Sequence, residues 1–317
     1  MTEVRRGRVL VTGASGFVGR ALAPALAAQG WLVRAASRHV TGPAVAGVTP
    51  VQMPDLAGPC DWSALTDGVD HVVHLAGIAH SRARLDDQTY LRVNAGASRD
   101  LARSAAAAGV SRFVFLSSVR AQSGPAANGV LSERSAPAPT DAYGRSKLAA
   151  EHAIAAEFPA ATHLRPVLIL GPGVKGNLAL LQRLARLPVP LPFGALHNQR
   201  SLLGQTTLAS IVAFCLTEEA VCGKTFLAAN PEPVSVADLI ATMRLAIGRR
   251  PGLIQIPRAL LGAAMATVGR GELKSSLLGD LRVDVSALLS AGWRPPDTID
   301  SEIIRMMTEP QPSASSR

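Results

Sequence analysis

Tyr143 and Lys147 stand four residues apart in Tyr-Gly-Arg-Ser-Lys. On a helix that spacing puts both side chains on one face. An ammonium beside a phenol favours the phenolate and lowers the tyrosine pKa toward neutrality. Such a tyrosine can accept or return a proton near pH 7. The chain has only two Tyr and four Lys among its 317 residues, so chance rarely produces the pair. Ser117 and Ser118 follow the apolar run Arg112–Leu116. A hydroxyl at that place, beside the tyrosine, would orient a substrate hydroxyl or carbonyl.

A second cluster lies near the N-terminus, where Thr12-Gly13-Ala14-Ser15-Gly16-Phe17-Val18-Gly19 follows a short apolar run. Glycine permits a tight turn and close approach of backbone to a pyrophosphate. A helix after the turn aims its first N–H groups at the anion.

The elements that must position these groups alternate along the first half. The apolar runs Val9–Thr12, Leu32–Ala35, Val48–Met53, His71–Leu75, Arg112–Leu116 and Leu164–Leu170 read as strands. Phe17–Gln29, Asp86–Ala108 and Tyr143–Glu157 read as helices between them. Repeated β-then-α units predict an α/β fold, a Rossmann-type doubly wound parallel sheet covered on both faces. The expected division is a dinucleotide-binding domain over 1–170 and a smaller C-terminal α/β substrate domain over 171–308, partly interleaved. A flexible tail is expected over 309–317. In the second part Leu178–Leu187, Thr207–Glu219 and Val236–Ile247 read as helices, and Ser235 with Asp238 as a capping box.

Composition narrows the function. Hydrophobic residues make up 48%, enough for a packed core and against disorder. Basic residues number 32 and acidic ones 23, a formal +9; four of the 32 are Lys, so 28 are Arg. The charge is scattered and no aromatics interleave with it, which argues against nucleic acid. Three cysteines, Cys60, Cys215 and Cys222, form no disulfide or zinc pattern and read as reduced thiols. No apolar run reaches the length of a membrane span, and the short N-terminal one is broken by Thr12 and Gly13. The expected location is the cytoplasm, with no membrane partner. His71 and His74 would face opposite sides of a strand, so no metal site is expected there.

The motif Thr-Gly-x-x-Gly-x-x-Gly, with Tyr-x-x-x-Lys, resembles the extended short-chain dehydrogenase/reductase family, the NAD-dependent epimerase/dehydratase group. The resemblance runs from about Arg8 to about Pro296. It implies that Gly13, Ser15, Gly16, Phe17, Val18 and Gly19 hold the cofactor. It also implies that Asp55 and Leu56 meet adenine, that Leu75, Ala76 and Gly77 border the cofactor, and that Asn94 supports the site. Tyr143 and Lys147 then reach the cofactor while acting with Ser118 in catalysis. Asn177 and Arg200 match positions that hold a nucleotide diphosphate, and His80 would line the substrate pocket. Gln122 and Ser123 replace the family's Tyr or Asn followed by Gly, and Leu170, Gly204 and Gln205 also depart from its pattern. These departures leave the shape of the sugar pocket open.

The cofactor is NAD or NADP. Arg34 and Arg38, with no acidic residue between the second strand and Asp55, favour a 2′-phosphate on charge grounds; the resemblance favours NAD. The implied activity is that of a nucleotide-sugar 4-epimerase acting on a UDP-hexose or UDP-N-acetylhexosamine. The alternatives are a nucleotide-4-keto-sugar reductase of surface-polysaccharide synthesis and a non-catalytic NAD(P)-sensing protein; retention of both Tyr143 and Lys147 speaks against the latter. The resemblance implies a homodimer through helices Asp86–Ala108 and Ala142–Glu157.

Overall fold

The computed structural model describes residues 6–40, 45–79, 85–267 and 277–309. Seven parallel strands form its central sheet: β1 (Arg8–Thr12), β2 (Leu32–Ser37), β3 (Val48–Gln52), β4 (His71–His74), β5 (Arg112–Leu116), β6 (Thr162–Pro166) and β7 (Thr225–Ala228). Their order is β7-β6-β5-β4-β1-β2-β3. The chain runs outward from β1 to β3 and then crosses back to β4 on the other side of β1. The carboxyl ends of β1 and β4 therefore open a crevice at a topological switch point, where ligands of such sheets bind. Pro50 lies in β3, an edge strand, where a missing N–H is tolerated.

The main helices are α1 (Gly19–Ala28), α2 (Ser63–Thr66), α3 (Ala97–Ala107), α4 (Ala142–Glu157), α5 (Gly176–Ala185), α6 (Gln205–Thr217), α7 (Val236–Leu245) and α8 (Ile299–Thr308). One buried cluster joins α1 and α6 to the sheet through Val9, Val11, Leu22, Leu26, Leu208, Val212 and Leu216. A second covers the other face through Leu10, Val72, Leu101, Phe113, Phe115 and Ile154. A third packs α5, α7 and α8 together.

Three expectations change. The helix Asp86–Ala108 is interrupted by a π-helical turn, Leu91–Gly96, between Asp87–Tyr90 and α3. The strand expected over Leu164–Leu170 divides at Val167, and Leu168–Leu170 leaves the sheet to pair with Leu202–Gly204. β7 was not expected; its four residues, Thr-Phe-Leu-Ala, are too short to separate strand from helix by pattern. With α6 packed beside α1, it returns the chain after residue 200 to the central sheet. Ser235 caps α7 as expected, accepting from Asp238 N at 3.0 Å.

Candidate active site

The glycine turn leaves the end of β1 at the crevice. Gly13 has φ +71°, and a Cβ there would come within 2.8 Å of Ala76 N, the segment after β4. At Gly19 a Cβ would overlap the Gly13 carbonyl. The turn thus closes only with glycine at both ends, and a Cβ at Gly16 would also lie only 3.1 Å from the Gly13 carbonyl oxygen. No side chain caps α1 at Val18, and its first turn holds no acidic residue. This is the cradle that a dinucleotide pyrophosphate fits. Ser15 and Phe17 lie in the same turn, exposed and half-buried.

Thr12 joins the turn to the rest of the site. Its Oγ1 accepts from Leu75 N and Ala76 N, both at 3.2 Å, and bonds to His74 Nδ1 at 2.7 Å. The other ring nitrogen of His74 meets Ser98 Oγ at 2.8 Å. Burial holds His74 down to about 3, so it stays neutral and serves the framework. Asn94, in the π-helical turn, accepts from Ile78 N at 2.7 Å and donates to Ser146 Oγ at 2.9 Å. Ser146 in turn donates to the Tyr143 carbonyl at 2.7 Å. Ser98 Oγ donates to the Asn94 carbonyl, so a continuous polar path runs from the glycine turn to the helix bearing Tyr143 and Lys147. A Cβ at Gly77 would reach Asn94 Oδ1 at 2.7 Å, which keeps that segment tight against the path.

At the adenosine end, Asp55 is exposed and Leu56 buried just after β3. Arg38 is exposed beyond β2. Arg34 is not available to a 2′-phosphate: its Nη1 donates to the carbonyls of Leu65 at 2.7 Å and Asp67 at 3.0 Å, at the end of α2. That half of the charge argument for NADP falls, because helix-end carbonyls use the guanidinium.

Tyr143 opens α4, whose N-cap is Asp141; the Asp141 carboxylate accepts from Gly144 N at 2.6 Å. The phenol is hydrogen-bonded to Ser118, and its ring meets Tyr90 edge-on, with centroids 6.4 Å apart. Burial pushes the phenol above its ordinary value, and the Ser118 bond pulls it back. The lowering expected from Lys147 does not appear: burial is the largest influence, and the cation that favours the phenolate is Arg120. Lys147 is itself buried, with Nζ 4.2 Å from the Phe115 ring centre. Burial brings the Lys147 ammonium down to about 7, while Glu151 one turn later works the other way.

The two serines separate. Ser118 faces Tyr143, whereas Ser117 donates to Glu151 in a buried network. Glu151 is paired with Arg165, which reaches Gln122 Oε1 at 3.0 Å. Gln122 donates onward to the carbonyls of Ser132 and Ser135. Its departure from the family pattern thus builds a buried bridge from Arg165 to the Ser132–Ser135 segment.

Arg200 is buried and donates to the carbonyls of Gly279 at 2.8 Å and Pro125 at 3.1 Å. Burial lowers it to about 10, helped by the nearby Arg120 cation. Asn177 stands exposed in the first turn of α5. His80 and 310–317 lie outside the described residues. The sequence reading missed Arg120, Asp141 and Glu151. Asp141 carries a readable signal, an N-cap residue directly before a helix; Arg120 and Glu151 carry none.

No helix among the described residues is long and apolar enough to cross a membrane. Residues 9–228 match the model of the NAD dependent epimerase/dehydratase family. A UDP-glucose 4-epimerase of Vibrio cholerae is 30% identical over 305 residues, 92% of this chain and 92% of that protein. A ceramide reductase of Caulobacter vibrioides is 32% identical over 261 residues, 81% of this chain and 76% of that protein. The solved structure of MoeE5 with UDP-glucuronic acid and NAD superposes with a TM-score of 0.73 at 25% identity, covering 95% of this chain and 98% of its own. The family model spans more than half of the chain and the parallel sheet agrees with these likenesses: the chain is an enzyme of the NAD dependent epimerase/dehydratase family.

Proposed function

We propose that this protein is an NAD(P)-dependent nucleotide-sugar 4-epimerase acting on a UDP-hexose or UDP-N-acetylhexosamine. The observation that carries the reading is the Ser118–Tyr143 hydrogen bond, one helical turn from buried Lys147, at the carboxyl ends of the sheet. The Vibrio cholerae epimerase, similar over nearly the whole chain, supports it. When bound, the nicotinamide would take a hydride from C4 and give it back. The chain's own groups handle the proton and the geometry. Tyr143, reacting as its phenolate, takes the proton of the 4-hydroxyl as the C4–H bond breaks, and returns it when that bond re-forms on the other face. Ser118 hydrogen-bonds the same oxygen, fixing it beside the phenol. Lys147 holds ribose hydroxyls, and its ammonium, brought down to about 7 by burial, carries only part of its charge near neutral pH.

Gly13, Ser15, Gly16, Phe17, Val18 and Gly19 would cradle the pyrophosphate. Arg38, Asp55 and Leu56 would take the adenosine end, and Leu75, Ala76, Gly77 and Asn94 would wall the nicotinamide side. Asn177 would hold the substrate diphosphate, with Arg200, fixed by the Gly279 and Pro125 carbonyls, supplying positive charge behind it and residues 171–308 shaping most of its pocket. A homodimer through the faces of α3 and α4, and a cytoplasmic location, complete this reading.

A second reading is a 4-keto-sugar reductase of surface-polysaccharide synthesis. The exposed Arg38 favours it, and one similar relative is a reductase. Analysis of cofactor in the purified protein, with an assay of UDP-glucose and UDP-galactose interconversion, separates the two. About one tightly held NAD per chain with interconversion supports the epimerase. An empty site that binds NADPH reversibly, without interconversion, supports the reductase.

A further inference from the structure

We propose that Arg120 is a positioning residue of the reaction: paired with Asp141, it ties the Ser118 turn to the start of the Tyr143 helix and holds a positive charge beside the phenol. The inference rests on the reading of Tyr143 as the proton carrier.

Three contacts meet at this residue. Its main-chain N–H donates to Ser118 Oγ at 3.1 Å, capping the short turn Val119–Ala121. Its carbonyl lies where a Cβ on Gly144 would fall, so the first turn of α4 presses directly on it. Its guanidinium donates to the second oxygen of Asp141, whose first oxygen already caps α4. The cap needs one oxygen only, so the ion pair is an additional feature. A simple strap would not require a cation here. Arg120 Nε is buried without a partner among the described residues, and Arg200 adds a like charge nearby. Both features disfavour a guanidinium at this place, yet one is held there.

The groups acting on the phenol are Ser118 and Arg120 from the turn, Asp141 at the cap and Tyr90 at the end of the helix Asp87–Tyr90, while Lys147 lies one turn further along α4. Arg120 favours the phenolate, whereas Asp141 and Tyr90 oppose it. The two halves of the ion pair therefore act on Tyr143 with opposite sign. As partners in one contact they would act on the structure with the same sign. That difference separates a positioning charge from a structural strap.

The experiment compares Arg120→Met, Arg120→Lys and Asp141→Asn in the full-length protein; Asn retains the helix cap. With Tyr90→Phe as background, Tyr143 is the remaining tyrosine. Its tyrosinate absorbance can then be titrated without substrate. The expected result is a titration moved to higher pH in Arg120→Met, to lower pH in Asp141→Asn, and close to the parent in Arg120→Lys. With the substrate that the parent turns over, kcat of Arg120→Met falls about tenfold or more while KM stays within about threefold, and the rising limb of the pH profile follows the titration. Shifts of the same sign in Arg120→Met and Asp141→Asn, or none, would overturn the proposal and leave Arg120 a strap. If the parent turns over neither a UDP-hexose nor a keto sugar, the proposed function fails, while the titration still decides the role of Arg120.

Discussion

Glu151 receives both Nε and Nη2 of Arg165, at 3.0 and 2.6 Å, with neither side chain more than 7% exposed. The same carboxylate takes the Ser117 hydroxyl, and Glu151 stands one turn beyond Lys147 on α4. The pair therefore joins three elements that carry the site: the end of β5, the strand β6 and the helix α4. It also supplies a negative charge that partly offsets the desolvation of Lys147.

Removing one half of that pair leaves the other charge buried alone. Glu151→Gln is expected to lower the unfolding free energy by about 3–5 kcal/mol, measured by urea denaturation. The double variant Glu151→Leu with Arg165→Met should lose less than the single one, since no lone charge remains. A loss under about 1 kcal/mol for Glu151→Gln would mean that water already screens the pair.

Tyr143→Phe removes the proton carrier and leaves the ring in place against Tyr90. Turnover is expected to fall roughly 10²–10⁴-fold, with cofactor still bound, as read by steady-state kinetics and by cofactor analysis of the denatured supernatant. Ser118→Ala keeps the phenol and removes the bond to it together with the cap on Arg120 N–H, so its loss should be smaller than that of Tyr143→Phe. Activity retained in Tyr143→Phe would assign the proton to another group.

The fold was readable because both faces of the sheet are covered. Val9–Thr12 and Arg112–Leu116 are continuous apolar runs, and they form β1 and β5 with at most one residue of difference. The glycine turn was readable because steric closure at Gly13 and Gly19 admits no Cβ. Other features depend on partners far away in the chain. The π-helical turn at Asn94 reflects tertiary bonds to Ile78 and Ser146, which no local pattern encodes. The desolvation of Tyr143 and Lys147 reverses the shift expected from their spacing alone. Ser117 and Ser118 could not be told apart by type; Glu151, 34 residues away, separates them.

Lys147 gives the stability a recognisable pH dependence. Its folded pKa is lowered to about 7 from an ordinary value of 10.5. Between these values the unfolded chain binds a proton there that the folded chain has released. Unfolding then takes up protons, so the contribution of this group to stability rises with pH across the window. Urea unfolding of the parent between pH 7 and pH 10 should show that slope, and Lys147→Met should flatten it. An unchanged slope in Lys147→Met would mean that the ammonium keeps its proton in the folded chain.

Arg38 decides between the two nicotinamide cofactors, since the structure removes Arg34 from the choice. A guanidinium beyond β2 can pair with a 2′-phosphate, whereas an acidic residue there would accept from ribose hydroxyls instead. Arg38 is exposed and has room to turn toward either. If it meets a 2′-phosphate, Arg38→Asp should lower the affinity for NADPH by about tenfold or more and leave NADH unchanged or tighter, because repulsion replaces attraction at one end only. Titration of both cofactors into parent and variant measures this directly. Equal effects on NADPH and NADH would show that Arg38 lies outside the ribose subsite. The cofactor is then chosen by the backbone after β2 and by Asp55, the first acidic residue that follows.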